Sequence, residues 1–283
     1  MAKAGVARSE CISGFFIDGL TQKGESEMIT VDQAGLQTFL KKANIDGVVN
    51  SIMMRIEDGK IKTRAIDESN TILLLLSKDI EATGDAEMRT NDLSLLRRLL
   101  SSVLVGGGEK EKPVFGLKLD GEKKLTVTYK KRKQFSFSLS SKESVVEIEG
   151  DIDAKFAKLK KACTIKLSPD IEFVREFVAK APLIEANAAT FHFTPKTSRV
   201  IFVDTLGNEI YIKVAANWIE SKLKGEKRDL TVTFFPKMIT GVLSVLNDED
   251  LEKCKLYFID EKSPVVISVA DGEYAIAPLV TEE

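Results

Sequence analysis

Lysine and arginine residues cluster on four stretches of the sequence that have helical periodicity, and such cations can neutralise phosphate groups. The seven residues are Lys41, Lys42, Arg97, Arg98, Arg175, Lys180 and Lys237. Cations at a helix C-terminus, or on a solvated helix face, would explain any one stretch by itself. Their recurrence on all four predicted helices favours a shared basic surface that contacts the backbone of a nucleic acid.

Few residues in the sequence could carry out catalysis. His192 is the single histidine, and it lies in an alternating strand where we expect it to face solvent rather than to form a Ser-His-Asp or Cys-His arrangement. The glycine run at Gly106 lacks the lysine and the serine or threonine of a phosphate-binding loop. The 3 cysteines show no paired spacing. We therefore expect no enzyme activity, no metal and no cofactor.

The composition bounds the size and the setting of the protein. A chain of 283 residues with 43% apolar residues can form two domains with separate cores. Its net charge is −2, so any contact with nucleic acid must depend on local clusters of positive charge. The sequence has no apolar run near the roughly 18 residues that suggest a membrane span. We expect an intracellular protein that does not associate with membranes.

The chain repeats itself at an offset of roughly 136 to 142 residues. Four pairs of segments match in the same order along the chain. They are 29–44 with 165–181, 66–72 with 203–210, 95–104 with 238–246, and 119–139 with 259–279. This period is too long for a solenoid, and it indicates two copies of one domain joined end to end.

Each copy has the same predicted order of elements: a strand, a helix, antiparallel strands, a second helix and a closing hairpin. Asp32 and Asn91 are the expected N-caps of the helices in the first copy, and Asp58-Gly59 is a strong hairpin turn. The predicted fold class is α+β, with two helices on an antiparallel sheet in each copy. The expected boundaries are an N-terminal arm or extra strand at 1–27, a first domain at 28–139, a connecting loop at 140–162 and a second domain at 163–283.

The order of these segments resembles that of DNA sliding clamps of the proliferating cell nuclear antigen type, which act as polymerase processivity factors. Residues 61–71 are similar to the family's alanine–apolar–aspartate–serine turn between strands. Residues 263–269 resemble its Pro-Leu-Val-Val strand, and residues 275–280 resemble its closing Leu-Ala-Pro segment, which precedes an acidic tail here as well. The near-neutral net charge and residues 1–27 depart from the family pattern.

This resemblance implies a homotrimer of clamp-fold subunits, joined head to tail through edge strands into a ring of six domains. The helices would line the hole, so the seven cations named above would face duplex DNA and touch phosphates without reading bases. The implied function is that of a sliding clamp, which encircles DNA and tethers replication proteins. The alternative is a peptide-binding scaffold of the same fold, acting as a hetero-ring subunit that does not encircle DNA by itself.

The resemblance also implies a pocket for partner peptides under the connecting loop, although ordinary packing would explain each of its apolar residues. The matching positions are Val146, Ile148, Ile152, Pro264, Ala277, Pro278 and Leu279. The expected partners are a DNA polymerase and a clamp-loading ATPase, at replicating DNA in a prokaryotic or phage-infected cell or in a nucleus. In the arm, Ser9, Ile12, Phe15 and Phe16 match the spacing of clamp-binding peptides, so the arm is hypothesised to occupy such a pocket.

Overall fold

The computed structural model of the protein describes residues 28–103, 113–145, 148, 150–223 and 229–279. The first copy contains β1 Met28–Asp32, α1 Gln33–Asn44, β2 Ile52–Glu57, β3 Lys60–Ile66, β4 Ile72–Asp79, β5 Ala86–Thr90, α2 Leu93–Ser102, β6 Val114–Asp120, β7 Lys124–Tyr129 and β8 Arg132–Ser138. The predicted arm at 1–27, Val146 of the predicted pocket, the Gly106 run and the acidic tail lie outside the described residues.

A helix then connects the two copies, and the second copy follows the order of the first. The connecting helix is α3 Ile152–Ala162. The second copy contains β9 Ile165–Leu167, α4 Ile171–Leu183, β10 Ala188–Phe193, β11 Ser198–Val203, β12 Glu209–Val214, β13 Ile219–Ser221, β14 Leu230–Phe234, α5 Pro236–Ser244, α6 Asp248–Lys253, β15 Lys255–Phe258, β16 Val265–Val269 and β17 Gly272–Ile276. Short 3-10 turns cover 45–47, 142–144 and 216–218.

The described strands form three antiparallel sheets. One sheet has the order β1-β6-β7-β8, and another has the order β12-β11-β10-β14. The third has nine strands in the order β13-β9-β15-β16-β17-β4-β3-β2-β5, and it contains strands of both copies. The predicted α+β fold of two tandem copies is confirmed.

The two copies meet inside the nine-stranded sheet, where β17 of the second copy pairs with β4 of the first. The register runs from Gly272 opposite Leu76 to Ile276 opposite Ile72. A Cβ atom on Gly272 would lie 2.2 Å from the carbonyl oxygen of Leu75, so glycine is needed for this close approach. The boundary between the copies is therefore an ordinary ladder of paired strands rather than a flexible connection.

The longer helices of the two copies form one layer that packs against the sheets. α1 packs on α2, α4 packs on α5, and α5 also contacts the turn at 45–47 that follows α1. A Cβ atom on Gly241 of α5 would come within 3.0 Å of Ile45 Cγ2, which shows how closely this contact joins the copies. Within the described residues, no helix has the length and apolar character to cross a membrane.

Helix caps account for where most of these helices begin. Asp32 caps α1 as predicted, and its Oδ1 accepts a hydrogen bond from the Gly35 backbone N–H at 2.6 Å. The N-cap of α2 is Asp92 rather than the expected Asn91, because Asp92 Oδ1 accepts from the Leu95 N–H at 2.9 Å. Polar caps of this type are worth about 1 kcal/mol each.

Two helices were not expected from the sequence. α6 is a short helix between α5 and β15, and it begins with a capping box in which Asn247 and Asp250 bond to each other's backbone. α3 lies in the segment that was interpreted as a connecting loop. Asp151 caps it, and Ile152 and Phe156, one turn apart, bury its inner face. The first copy thus has the two predicted α-helices, the second copy has a third, and the linker adds one more.

Candidate functional sites

The basic residues of the first copy lie on neighbouring helices. Lys41 on α1 and Arg98 on α2 are exposed. Lys41 and Arg97 line the same cavity of about 210 Å³ between the two helices. Arg97 is half-buried, and its Nη1 donates a hydrogen bond to Oδ1 of Asn44. Lys41 and Arg98 are therefore free to reach an anion on this surface, whereas Arg97 is held by the protein.

Lys42 is a correction to the predicted basic surface, because it faces inward and its side chain is only 2% exposed. Its Nζ donates to Asp250 Oδ1 at 2.7 Å and to Asp271 Oδ2 at 2.6 Å. α1 buries its inner face through Leu36 and Phe39, and Lys42 follows Phe39 by three residues on the same side. That spacing places Lys42 on the buried side of α1, although nothing near it in the sequence indicates the carboxylates that pair with it.

The Lys42 side chain links the two copies by charge. Asp250 and Asp271 belong to the second copy, whereas Lys42 and Lys78 belong to the first, and Lys78 Nζ lies 3.1 Å from Asp271 Oδ2. Burial by itself would raise the pKa of the Asp271 carboxyl. Hydrogen bonds and attraction from Lys42 and Lys78 outweigh burial and hold this pKa below its usual value. The four residues form a mostly buried ion cluster across the joint.

Two of the three predicted basic residues of the second copy, Arg175 and Lys180, lie on α4, whose position is set by two buried aromatic residues, Phe173 and Phe177. Phe177 packs on Phe202 of β11 with ring centroids 4.9 Å apart. Arg175 points the other way and is exposed. Lys180 is half-buried and lies toward the edge strand β12.

Carboxylates accompany both cations of α4. Arg175 Nη2 lies 3.2 Å from Asp248 Oδ1, and both side chains are exposed. Lys180 Nζ lies 2.7 Å from Glu176 Oε1 and also donates to the backbone carbonyl of Tyr211 at 3.1 Å. An exposed ion pair is worth little in water, so Arg175 can exchange its partner for a phosphate. Lys180 is held more firmly, because it has both an ion pair and a hydrogen bond to a backbone carbonyl.

Lys237 completes the predicted set. It is exposed in the first turn of α5, and it lines a cavity of about 350 Å³ between α4, α5 and the 45–47 turn. Lys41, Arg98 and Lys237 have no carboxylate within 4.0 Å in the part of the chain that the structure describes. The helical layer therefore presents three unpaired cations and one weakly paired cation, Arg175, which leaves four of the seven predicted residues as strong candidates for phosphate contacts.

A buried aspartate organises the turn between β3 and β4. Asp67 is 4% exposed, and its Oδ1 accepts from the backbone N–H groups of Thr71 and Ile72, both at 2.6 Å. Its Oδ2 accepts from the hydroxyl of Thr71 at 2.8 Å and from that of Ser69. Burial alone would raise the pKa of Asp67, but these hydrogen bonds outweigh burial and lower it.

The second copy repeats this turn at Asp204, in agreement with the repeat in the sequence. Asp204 Oδ1 accepts from the backbone N–H groups of Leu206 and Asn208, both at 2.8 Å. The hydrogen bond from the Asn208 side chain is the main reason that the pKa of Asp204 is lowered. Asp67 is buried, whereas the turn at Asp204 is exposed to solvent.

Replacing Asp67 with asparagine is expected to lower the free energy of unfolding by about 1–3 kcal/mol near neutral pH, because an amide nitrogen would face buried donors. The folded-state pKa of Asp67 is lower than its unfolded value, so its contribution is present above pH ~4 and is lost as the pH falls through the folded-state pKa. Chemical unfolding of wild type and variant from pH 7 to pH 3 tests this. The difference between them should shrink with acid, and Asp204→Asn should have a smaller effect at pH 7.

The residues predicted to form a partner pocket lie in two places. Ile148, and Ile152 at the start of the connecting helix α3, belong to a small apolar cluster between α3 and the nine-stranded sheet. Ile152 is fully buried there. Ala277 and Leu279 continue from β17, and their N–H groups donate to the carbonyls of Thr71 and Thr233 at 2.8 and 2.7 Å. Pro264 and Pro278 are half-buried beside β16 and after β17. An open pocket that includes Ile152 would therefore require α3 to move.

The single histidine was one of the residues on which the expectation of no catalysis was based. His192 is half-buried on β10, and its Nδ1 lies 2.8 Å from the Thr231 hydroxyl on the neighbouring strand. Among the described residues, no group of three or more His, Cys, Asp or Glu side chains is placed to hold a metal ion. Burial raises the pKa of the Cys254 thiol to about 12, so this thiol is protonated at neutral pH.

No protein-family profile and no curated protein matches this sequence. Solved structures do match the fold. A structure of the C-terminal region of FEN-1 bound to A. fulgidus PCNA matches with a TM-score of 0.64 and 14% identity, over 91% of this chain and 100% of that chain. PCNA from Thermococcus kodakaraensis matches with a TM-score of 0.62 and 14% identity, over 89% and 100%. The DNA polymerase sliding clamp from Bacillus subtilis matches with a TM-score of 0.66 and 14% identity, over 94% and 68%. The chain therefore has the fold of the sliding clamps.

Proposed function

We propose that this chain is the subunit of a homotrimeric sliding clamp, which encloses duplex DNA without reading its sequence and tethers a DNA polymerase. The fold supports this proposal. The observation that favours self-assembly most directly is the strand ladder between the two copies, since each copy has an edge strand that could form half of a second ladder of the same kind.

The repeat identifies which edges would pair. Within the chain, the closing strand β17 of one copy pairs with β4, the third strand of the other copy's meander. Their counterparts are β8 in the first copy and β12 in the second. In the described part of the chain, β8 and β12 each have a neighbour on one side only. The two free edges of one subunit, β8 and β12, are therefore complementary in the same way as the strands that join its own domains. Pairing β8 of one subunit with β12 of the next could close a head-to-tail ring.

The side chains on these edges have the character of an incomplete core. Tyr274 and Leu74 face each other in the internal ladder, and both are fully buried. If the same register holds at the free edges, Phe135 of one subunit would lie opposite Ile210 of the next. Phe135 and Ile210 are only half-buried in the single chain. Pairing would bury both and would satisfy the backbone groups of two exposed strand edges.

The helical layer would then face DNA. Lys41, Arg98, Arg175 and Lys237 extend from this layer with weak partners or none. Their contacts would be to phosphates, which position a protein on the duplex without specifying a sequence. Enclosure by the ring, rather than tight binding, would keep the protein on DNA, so weak and salt-sensitive contacts are sufficient. The FEN-1 segment on A. fulgidus PCNA suggests short segments of replication proteins as the class of partner, with a clamp-loading ATPase to open the ring.

Native mass measured by light scattering over a range of concentrations tests the assembly. A mass near three times 31.3 kDa is expected. Ile210→Arg should raise the concentration needed for assembly at least about 100-fold, because a charge would be buried in the junction. Ile219→Arg is a matched control, since Ile219 is also half-buried on an edge strand, β13, that the repeat does not place at a junction.

Two results would count against the homotrimer. A wild-type monomer at all concentrations would favour the alternative, a hetero-ring subunit that docks peptides without encircling DNA by itself. Equal effects of Ile210→Arg and Ile219→Arg would mean that β12 is not the junction. Circular dichroism of both variants shows whether they remain folded.

A further inference from the structure

The hairpin that joins β7 to β8 carries four consecutive cations that are separate from those of the helical layer. They are Lys130, Lys131, Arg132 and Lys133, here called the basic hairpin. All four side chains are exposed, and Lys130 Nζ lies 5.4 Å from the centroid of the Tyr129 ring. In the part of the chain that the structure describes, none of the four has a carboxylate within 4.0 Å. The basic hairpin is therefore a dense patch of unneutralised positive charge.

The turn of the basic hairpin has a backbone conformation that is unfavourable for lysine. Tyr129 pairs with Arg132, so the loop has two residues, and both have a positive φ: 48° at Lys130 and 63° at Lys131. Hairpin loops of this geometry favour Asn-Gly or Asp-Gly, because the left-handed region is costly for residues with longer side chains. Lysine at both positions therefore lowers stability relative to the preferred turn.

The counterpart in the second copy shows that the fold does not require cations at this turn. The β16–β17 hairpin has a loop of the same length, with Val269 opposite Gly272. Asp271 occupies the loop position that Lys131 occupies in the first copy, and its carboxylate pairs with Lys42 and Lys78. The first copy thus carries the opposite charge at a position that the second copy uses for an internal ion cluster.

Protection of an edge strand is the simplest structural explanation for cations here, because lysine on an edge discourages pairing with other chains. Among the described strands, β8 is at the edge of its sheet. Lysine has that effect along a strand, whereas Lys130 and Lys131 lie in the loop, beyond the last paired residues. Edge protection therefore does not explain why both loop positions are lysine.

A second pair of cations lies where the proposed assembly would bring the basic hairpin. Arg199 of β11 is directly opposite Lys213 of β12, and both are exposed. Like charges in this arrangement are unfavourable, and neither residue has a carboxylate within 4.0 Å among the described residues. If β8 of one subunit pairs with β12 of the next, Arg132 would lie near Lys213. The cationic surface would then continue across the junction.

We infer that the basic hairpin binds the phosphodiester backbone of nucleic acid outside the hole of the proposed ring. Closely spaced cations repel one another, and a ligand with closely spaced anions relieves that repulsion and releases counterions. Lysine is a point charge on a flexible stem, so its contacts can follow phosphates without reading bases. The inference rests on the proposed function only in placing DNA near the hairpin.

The repeat indicates which rim of the ring would carry this site. In the second copy, the β16–β17 turn and residues 277–279 lie at opposite ends of β17, and Ala277 and Leu279 belong to the predicted partner pocket. Rotation about the ring axis would relate the two copies, so the basic hairpin would lie on the rim away from that pocket. It would contact the duplex where DNA leaves the ring on the side opposite a bound polymerase.

The test compares wild type with Lys130→Asn/Lys131→Gly, which introduces the preferred turn and removes two charges. Fluorescence anisotropy measures the affinity for a short fluorescein-labelled duplex. At about 50 mM salt we expect the affinity to fall at least about tenfold, and the slope of log affinity against log salt to decrease by about 1.8, which is about 0.9 for each of two phosphates. The urea midpoint of unfolding should rise, because the new turn fits its backbone. Weaker binding by a more stable protein cannot result from unfolding.

Two further variants control this result. Lys158→Gln/Lys161→Gln removes two exposed lysines from the linker helix, and its affinity should stay within about twofold of wild type. Arg132→Gln/Lys133→Gln keeps the turn and should weaken binding about as much as Lys130→Asn/Lys131→Gly. A labelled single strand of the same length shows whether the site needs a duplex, and either answer supports a phosphodiester ligand.

Unchanged affinity of Lys130→Asn/Lys131→Gly for both forms of DNA would overturn the inference. A loss of affinity only for labelled polyglutamate would overturn it as well, because the hairpin would then be a site for an acidic protein. Aggregation of the variant with normal DNA affinity would mean that the cations protect the edge.

A variant of the helical layer, Arg98→Glu/Lys237→Glu, separates this inference from the proposed function. If it binds DNA normally while Lys130→Asn/Lys131→Gly binds weakly, the clamp proposal is weakened and the inference stands. The reverse result would overturn the inference and leave the clamp proposal in place.

Discussion

Replacing Lys42 with alanine is expected to lower the free energy of unfolding by roughly 3–5 kcal/mol. The substitution leaves Asp250 buried without its cation, and it removes the bond from α1 to Asp271 across the domain joint. A loss of this size is a large part of the roughly 5–15 kcal/mol that typically separates folded from unfolded proteins. Equilibrium unfolding in urea measures it directly.

Lys41→Ala is the matched control for this prediction. Lys41 is the preceding residue on the same helix and is exposed, so its removal should change stability by no more than about 0.5 kcal/mol. Lys42→Met separates charge from packing, since methionine keeps most of the side-chain volume. If Lys42→Met is as stable as wild type, the ion cluster does not stabilise the joint, and our interpretation of it is wrong.

Reversing the charge of the four available cations of the helical layer should abolish the proposed clamp activity. The variant combines Lys41→Glu, Arg98→Glu, Arg175→Glu and Lys237→Glu. Each change would turn a cation that is proposed to contact phosphate into an anion, and assembly as the proposed trimer would multiply the effect. We expect DNA affinity to fall at least about 100-fold and polymerase processivity on circular primed DNA to fall at least about tenfold. Removing one cation by Arg98→Ala should reduce the slope of log affinity against log salt by about 0.9 for every phosphate that this side chain neutralises.

The control for charge reversal uses four cations on the outer side of the molecule: Lys60, Lys62, Lys158 and Lys161, which are all exposed. Changing them to glutamate alters net charge equally but should leave DNA affinity nearly unchanged. Light scattering confirms that both variants still assemble. Normal processivity in the first variant, with assembly intact, would show that the helical layer does not face DNA.

Local patterns in the sequence predict much of this fold. Asp32, followed by apolar residues at helical spacing, predicts where α1 begins. Asp58 and Gly59 both have a positive φ, 50° and 68°, as the hairpin turn requires. Asp67 and Asp204 could be matched by the repeat alone, since each precedes polar residues between two strands. These features depend on residues close together in the chain.

The position of Lys42 could not be predicted in the same way, because its partners Asp250 and Asp271 lie 208 and 229 residues away in the chain. A lysine beside another lysine near a helix C-terminus is usually solvated, and only the three-dimensional approach of the second copy makes it a core residue. Its neighbour Lys41 shows that one position of difference on a helix changes which side of the protein a charge faces.

The helix in the linker was missed for a different reason. Its apolar residues are few, and a segment with so little apolar surface was interpreted as a loop. Ile152 and Phe156 are one turn apart and suffice to fix a helix because the sheet beneath them is apolar and already formed. Helix formation there depends mainly on tertiary contact rather than on intrinsic propensity. Two positions of the predicted pocket, Ile148 and Ile152, belong to the apolar cluster that this helix covers.

The nine-stranded sheet also has a mechanical consequence. Its backbone ladder continues through the domain boundary without interruption, and the Lys42 ion cluster crosses the boundary on the helical side. A subunit should therefore behave as a stiff arc, with no internal hinge at which to bend. In a ring built from such arcs, deformation would concentrate at the seams between separate chains, and a loading machine would gain entry for DNA by parting one seam rather than by flexing a subunit.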